Sequence, residues 1–115
     1  MTEDSSRSPF KTWTDVEHTA KRVIAESPDP FDPATSLQVQ RLFAAIPDPF
    51  PLPIEVTKGY WNTIQICWNH SEVELFDVRY EVYQLGKDRF AIEYFECSLE
   101  GAIPSGLIDR LSRIS

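Results

Sequence analysis

From Ile54 to Cys97, β-branched and aromatic residues alternate with charged residues at the two-residue period of a β-strand. Successive side chains of a strand point to opposite faces, so this pattern is typical of an antiparallel sheet with one face on a core and the other in water. The segment also holds all four tyrosines, two of the three tryptophans and both cysteines. We therefore expect the chain to be built around an antiparallel sheet.

Two helices are predicted before this segment. Thr14 and Glu17 have the spacing of a capping box, which begins a first helix that Pro28 ends. Asp32 and Pro33 begin a second helix as its N-cap and its first helical residue, where the missing N–H of proline costs nothing.

Within the sheet region the alternation shifts by one residue after Leu75. Because a one-residue shift reverses the facing of every later side chain, we expect a bulge or bend near Phe76 and Asp77. Residues 85–88 (Leu-Gly-Lys-Asp) predict a hairpin turn.

A third helix is predicted from Pro104 towards Ile114. The fold class is thus α+β: two N-terminal helices, a central antiparallel sheet of three to four strands and one C-terminal helix, in a two-layer sandwich. Residues 1–9 are expected to form a disordered acidic arm and residues 10–115 a single α+β domain.

The core is predicted from residues that share a face of these elements. On the sheet they are Ile64, Ile66, Val78, Tyr80, Phe90 and Ile92. We expect them to pack under the helices at Val23, Leu42, Phe43 and Leu111.

Eleven Lys and Arg against eighteen Asp and Glu give the chain a net charge of −7 at pH 7. Nucleic acid is bound through a basic footprint and an anionic membrane repels an acidic surface, so we expect neither nucleic-acid nor membrane binding. No secretory signal and no apolar run of transmembrane length is recognisable, which predicts a cytoplasmic protein. An acidic surface steers association towards a basic partner.

Cys67 and His70 stand three residues apart and are the best local candidates for chemistry, as metal ligands or as nucleophile and base. A structural zinc site uses four ligands, and the remaining candidates, Cys97 and His18, lie in unrelated predicted elements. A thiol nucleophile further needs an orienting group and oxyanion donors. We therefore predict no catalytic residue, no metal, no cofactor and two free thiols.

Carboxylates are plentiful along the predicted strands. Catalytic carboxylate pairs require a pocket that moves their pKa values apart, and the sequence gives no sign of one. The glutamates are instead expected on the solvated outer face of the sheet: Glu72, Glu74, Glu81, Glu93 and Glu96. The four glycines are isolated, so no phosphate-binding loop is predicted.

Asp-Pro-Phe occurs at 29–31 and again at 48–50, on either side of the second helix. Proline interrupts helices, so the favoured interpretation is that each copy ends a helix and places its phenylalanine on the core. The alternative is a pair of recognition peptides, because the triplet resembles the short motif bound by endocytic adaptor ears.

Aromatic residues are more numerous than a small helical layer covers, and Trp and Tyr are favoured anchors of protein interfaces. They are interleaved with Glu rather than with Lys or Arg, which favours a protein partner over a nucleic acid. The residues predicted to bind that partner are Trp61, Trp68, Tyr83 and Phe95.

The leading hypothesis is a small acidic cytosolic protein without catalytic activity that binds a protein partner through the aromatic-rich face or edge of its sheet. In size and charge, though in no motif, the chain resembles bacterial type III secretion chaperones and immunity or antitoxin proteins, which implies a chaperone-, immunity- or adaptor-like role. The alternative is a small-molecule-binding or enzymatic domain with a pocket between the helices and the sheet. A third hypothesis is a homodimer whose sheet continues across a two-fold axis.

Overall fold

Two helices precede a series of strands, and a short helix closes the chain. The computed structural model describes residues 8–47, 50–85, 90–97, 103–104 and 106–114. Its helices are α1 (Trp13–Ala25), α2 (Pro33–Ala45) and α3 (Leu107–Ile114). Its strands are β1 (Glu55–Lys58), β2 (Ile64–Cys67), β3 (Ser71–Leu75), β4 (Arg79–Leu85) and β5 (Phe90–Glu96). The predicted α+β class is confirmed, but the described residues form five strands where the sequence predicted three to four.

The described strands form one sheet in the order β1-β2-β3-β4-β5, each antiparallel to its neighbour. Sequence order and spatial order agree, so the sheet is a meander. Leu85 lies opposite Phe90 where β4 pairs with β5, and residues 86–89 between them lie outside the described residues. The turn predicted at 85–88 falls largely on those residues.

The bulge predicted near Phe76 and Asp77 is a tight turn between two strands. The Phe76 amide donates to the Arg79 carbonyl (2.9 Å), which leaves residues 77–78 at the tip of a hairpin. A two-residue turn restarts the alternation in a new phase, and in the sequence this looks the same as a bulge. The continuous strand predicted through this bulge is therefore two strands, β3 and β4.

α1 begins two residues earlier than predicted. Thr12, not Thr14, is its N-cap: the Thr12 hydroxyl accepts from the Asp15 amide (3.2 Å), and the Asp15 carboxylate accepts from the Thr12 amide (3.2 Å). Both threonines have an acidic residue three positions on, so spacing alone does not choose between them. The earlier start places Trp13 in the first turn, where its indole N–H donates to the Phe50 carbonyl (3.0 Å).

α2 begins where the sequence predicted. The Asp32 side chain accepts from the Ala34 amide (2.8 Å), and Pro33 is the first helical residue. The buried Tyr80 hydroxyl of β4 donates to the Gln38 carbonyl (3.0 Å), which fixes α2 across the sheet.

All three helices cover one face of the sheet, here called the helix face. Buried apolar side chains from the helices and from alternate strand positions form one cluster. Its members on these elements are Val16, Ala20, Val39, Leu42, Val56, Ile64, Ile66, Val73, Leu75, Tyr80, Val82, Leu107 and Leu111. The opposite side, which no described helix covers, is here called the open face.

The predicted core is wrong at Val78 and Ile92, which are 54% and 40% exposed. Val78 lies at the tip of the β3–β4 hairpin, and Ile92 lies on the open face. Phe95 instead takes the helix-face position, opposite Tyr80. The side chain of Phe90 lies outside the described residues. The remaining predicted core residues are buried or packed against the core: Ile64, Ile66, Tyr80, Val23, Leu42, Phe43 and Leu111.

Both Asp-Pro-Phe segments place their phenylalanine in the core. Phe31 and Phe50 are buried, next to the ends of α2. Residues 48–49 of the second copy lie outside the described residues. Burial of both rings agrees with the helix-ending interpretation and removes them from any accessible recognition peptide.

The predicted arm of residues 1–9 reaches the folded part of the chain at its end. The Ser8 hydroxyl donates to the Pro53 carbonyl, just before β1. Residues 1–7 lie outside the described residues.

α3 begins at Leu107 rather than near Pro104, directly after Gly106, whose φ of +85° is outside the helical range. Arg110 of this helix binds Glu93 of β5, with 2.7 Å between Nε and Oε1. Glu93 therefore lies on the helix face, and its predicted place on the outer face is wrong.

Candidate protein-binding surface

The open face carries polar residues from every described strand. Strand pairing aligns them in rows that cross the sheet. One row is Thr57, Gln65, Glu74, Glu81 and Tyr94, and the next is Glu55, Cys67, Glu72, Tyr83 and Ile92. In these two rows the carboxylates of Glu72, Glu74 and Glu81 lie in the middle of the sheet, and Tyr94 and Ile92 lie at its β5 edge.

Glu74 and Glu81 lie directly opposite each other and are each only 6% exposed. Two buried like charges repel, so each carboxylate requires its own donors. Glu74 accepts from the Thr63 hydroxyl and from Gln65 Nε2 (3.4 Å). Glu81 accepts from Arg79 Nε (2.6 Å) and from the Tyr83 hydroxyl (2.6 Å). The prediction that these glutamates are solvated was wrong, because neighbouring side chains cover them.

The loop between β1 and β2, residues 59–63, packs closely on Glu74. A Cβ atom at Gly59 would overlap both the Thr63 hydroxyl and the Glu74 carboxylate. Only glycine therefore fits at the base of the loop as it is folded.

Hydrogen bonds fix this loop at its base and at its far end. The Gly59 amide donates to the Thr63 carbonyl (3.0 Å), and the Thr63 amide donates to the Trp61 carbonyl (2.8 Å). Lys58 Nζ donates to the Trp61 carbonyl (3.2 Å), and Asn62 Nδ2 donates to the Pro30 carbonyl (3.2 Å) between α1 and α2. The loop backbone is therefore held before any partner binds.

This fixed loop displays two aromatic side chains. Tyr60 is 86% exposed and Trp61 is 64% exposed. Their rings meet edge to face, with centroids 4.8 Å apart and an interplanar angle of 87°. Large aromatic residues are rarely left this exposed, and they are the favoured anchors of protein interfaces.

The predicted partner-binding residues do not form one surface. Trp61 is exposed, and Tyr83 is half-buried on the open face. Trp68 is buried, donates its indole N–H to the Pro51 carbonyl (3.1 Å) and packs on Trp13. Phe95 packs against the core on the helix face. Trp68 and Phe95 are therefore parts of the core, and Tyr60, beside Trp61 in the sequence, is the exposed neighbour that the prediction missed.

The β5 side of the open face is a second exposed apolar area. Tyr94 is 59% exposed, and Ile92 beside it is 40% exposed. The Arg79 guanidinium lies over the Phe76 ring (4.5 Å to its centroid) and near the Tyr94 ring (5.7 Å). Such cation–π contacts hold an arginine flat against its neighbours.

Cys67 is held as a thiol. Its pKa is raised to about 12, mainly by burial and in addition by the nearby charges of Glu72 and Glu55. Its Sγ lies 3.9 Å from the Glu72 carboxylate, whose own pKa is raised by burial and by Glu74. Because the thiolate is the nucleophile, this environment does not support cysteine catalysis. His70, its predicted companion, is exposed in the β2–β3 turn.

A solvent-open cavity of about 510 Å³, with both apolar and polar lining residues, lies where the start of α1 meets the end of α2, away from the open face. Within the described residues it is lined by Lys11, Thr12, Trp13, Thr14, Phe43, Ile46, Pro47, Phe50 and Leu52. Among the lining residues that the structure describes, Lys11 alone is ionisable, so these residues offer no acid–base pair.

Comparison with family models, curated proteins and solved structures gives no match. No helix in the described part of the chain is long and apolar enough to span a membrane. The described residues also contain no group of three or more His, Cys, Asp or Glu arranged to hold a metal ion.

Proposed function

We propose that this chain is a non-enzymatic, cytosolic protein-binding module that docks a basic partner through the Tyr60–Trp61 loop and the adjoining open face. The observation that carries the proposal is the pair of exposed aromatic rings on a loop whose backbone is already fixed. A chaperone-, immunity- or adaptor-like role is compatible with such binding.

The fixed loop lowers the entropic cost of association. Ordering a flexible loop on binding consumes part of the interaction energy, and a preorganised loop avoids that cost. The hydrogen bonds of Gly59, Asn62 and Thr63 supply this order in the free chain. Tyr60 and Trp61 add a large apolar area with few rotatable bonds, which favours burial in a partner's pocket.

Charge supports a basic partner. The chain carries −7, and the open face includes the exposed Glu55 and Glu96 as well as the half-buried Glu72. An acidic surface accelerates encounter with a basic one and repels acidic competitors. Binding of this kind weakens as salt screens the charges.

The test is quantitative affinity capture from the native cell with three forms of the chain: wild type, Trp61→Ala and Leu37→Ala. Leu37 is a matched control, because it is an exposed apolar residue (42%) on α2. We expect a partner that is captured by wild type and Leu37→Ala, is lost with Trp61→Ala and is captured less at higher salt. Equal capture by all three forms contradicts the proposal.

A second candidate function is binding of a small apolar molecule in the cavity at the end of α2. Its volume of about 510 Å³ is within the range of ligand pockets. If this is the function, wild type should bind the apolar dye Nile red, and Ile46→Trp, which narrows the cavity, should weaken that binding. Absence of dye binding by wild type contradicts this candidate.

A further inference from the structure

β5 is a long edge strand whose central residue, Glu93, directs a charge to the helix face. It is seven residues long, and no strand of the described residues pairs with its outer side. Natural edge strands are generally short or carry a lysine, a proline or a bulge that prevents pairing with another chain. β1, at the opposite edge, has four residues and ends in Lys58. β5 has no lysine and no proline, and its inward-facing charge, Glu93, is paired with Arg110. This edge is therefore less protected against pairing with another chain than β1 is.

The phase of hydrogen bonding shows which groups β5 directs outward. The Cys97 amide donates to the Val78 carbonyl (2.8 Å), so every second residue of β5, counted from Cys97, bonds to β4. Ile92 and Tyr94 are the residues between, and they direct their backbone N–H and C=O away from β4. Their side chains are the exposed apolar groups of the open face.

We propose that β5 pairs antiparallel with β5 of a second copy of this chain, with the two-fold axis at Glu93. Residue 93 is the centre of 90–96, so in this register all seven residues of each strand are paired. Ile92 then lies opposite Tyr94 of the second copy, an aromatic to β-branched cross-strand pair of the kind that stabilises sheets. The two sheets join into one.

Arg110 makes this register electrostatically acceptable. The two copies of Glu93 face each other at the axis on the helix face, and like charges directly opposite are destabilising. Each Glu93 carboxylate already accepts from Arg110 Nε (2.7 Å), so a guanidinium accompanies each charge. Arg110 is thus a positioning residue for the dimer.

Dimerisation and binding of a basic partner should depend on salt concentration in opposite ways. Each copy carries −7, so the two copies repel at low ionic strength. Screening should therefore strengthen the dimer, whereas it should weaken binding of a basic partner.

The test is sedimentation equilibrium of the full chain from about 1 µM to about 1 mM, at low and at high salt, a range that covers weak dimers. We expect a concentration-dependent dimer that salt strengthens. The Ile92→Pro variant should remain monomeric, because its lost N–H faced outward and no bond to β4 is removed. A wild-type monomer at about 1 mM in high salt, or an Ile92→Pro dimer of unchanged strength, overturns the proposal.

Arg110 variants give a second, independent readout. Arg110→Gln leaves the two Glu93 charges opposed and should weaken dimerisation about tenfold or more. The double variant Glu93→Gln/Arg110→Gln removes both charges and should recover dimerisation. If both variants dimerise as weakly as each other, the axis is not at Glu93 and the proposed register is wrong. If circular dichroism shows that Ile92→Pro does not fold, the comparison of Arg110→Gln with the double variant still tests dimerisation through β5.

Discussion

Glu74 is the residue on which the conformation of the β1–β2 loop depends. A buried carboxylate is costly unless hydrogen bonds satisfy it, and its donors, Thr63 and Gln65, meet that requirement. Gly59 can approach the carboxylate because it has no side chain. The buried Glu74 side chain at the base of the loop thus supports the two exposed aromatic residues at its tip.

Gly59→Ala tests this packing. The added methyl group overlaps Thr63 and Glu74, so we expect the free energy of unfolding in urea to fall by about 1–3 kcal/mol. Lys21→Ala on the exposed side of α1 is the control, with an expected change within about 0.5 kcal/mol. Equal stability of Gly59→Ala and Lys21→Ala would show that the loop is not packed on Glu74.

Glu72→Gln tests the electrostatics of the open face. Burial and Glu74 raise the pKa of Glu72 in the folded chain above its ordinary 4.5. The folded chain therefore binds a proton at Glu72 more tightly than the unfolded chain does. This preference stabilises the fold below pH 4.5, and the stabilisation is lost as the pH rises through the folded-state pKa.

At pH 7 the Glu72 carboxylate is therefore unfavourable to folding. Glu72→Gln should be more stable than wild type there by about a few tenths of a kcal/mol, a small value because the group is partly solvated. The difference should disappear in denaturant unfolding at about pH 3.5, where both states are protonated. A variant less stable than wild type at pH 7 would contradict this sign.

Sequence alternation contained more information on the tryptophans than their residue type did. Trp68 follows Ile64 and Ile66 at two-residue steps, so its phase alone places it on the helix face. Trp61 lies in a Gly-Tyr-Trp-Asn loop outside any alternation, where nothing buries it. The burial of Glu74 could not be predicted, because it depends on Thr63 from a neighbouring segment.

Among the elements, the helices were the easier to predict and β5 the hardest. Asp32 and Pro33 fix the start of α2 locally, whereas the capping pattern at Thr12 is repeated two residues later. β5 has apolar residues in both phases, Ile92 on one side and Phe95 on the other, so alternation does not decide which side meets the helices. Pairing with β4 decides it, since Phe95 lies opposite the buried Tyr80.

Substituting alanine for Ile66 and, separately, for Ile92 tests which face of the sheet each side chain occupies. Ile66 is fully buried, so Ile66→Ala should lower the free energy of unfolding by about 2–5 kcal/mol through lost burial and a cavity. Ile92 is 40% exposed on the open face, so Ile92→Ala should cost under about 1.5 kcal/mol. Equal costs in urea unfolding would mean that β5 is turned the other way.

At the scale of the whole molecule, the described helices and the core lie on one side of the sheet, and most carboxylates of the described strands lie on the other. Net charge and the expectation of a half-covered sheet came from composition and period, which do not depend on tertiary contacts. The binding site could not be predicted from composition and period. The exposure of Tyr60 and Trp61 depends on tertiary contacts, because the β1–β2 loop packs on Glu74 and is hydrogen-bonded to Pro30. The proposed function rests on that displayed pair.

The most direct test of Trp61 as a partner anchor is ¹⁹F NMR of the chain labelled with 5-fluorotryptophan. The three tryptophans give three resonances, and Trp61→Phe identifies one of them. In the free chain the Trp61 resonance should shift most between H₂O and D₂O, because Trp68 is buried and Trp13 is half-buried against Phe43, Phe50 and Trp68. On addition of the captured partner, the solvent shift of Trp61 should vanish while the other two resonances stay unchanged. A Trp61 resonance that keeps its full solvent shift in the saturated complex would contradict the proposed function.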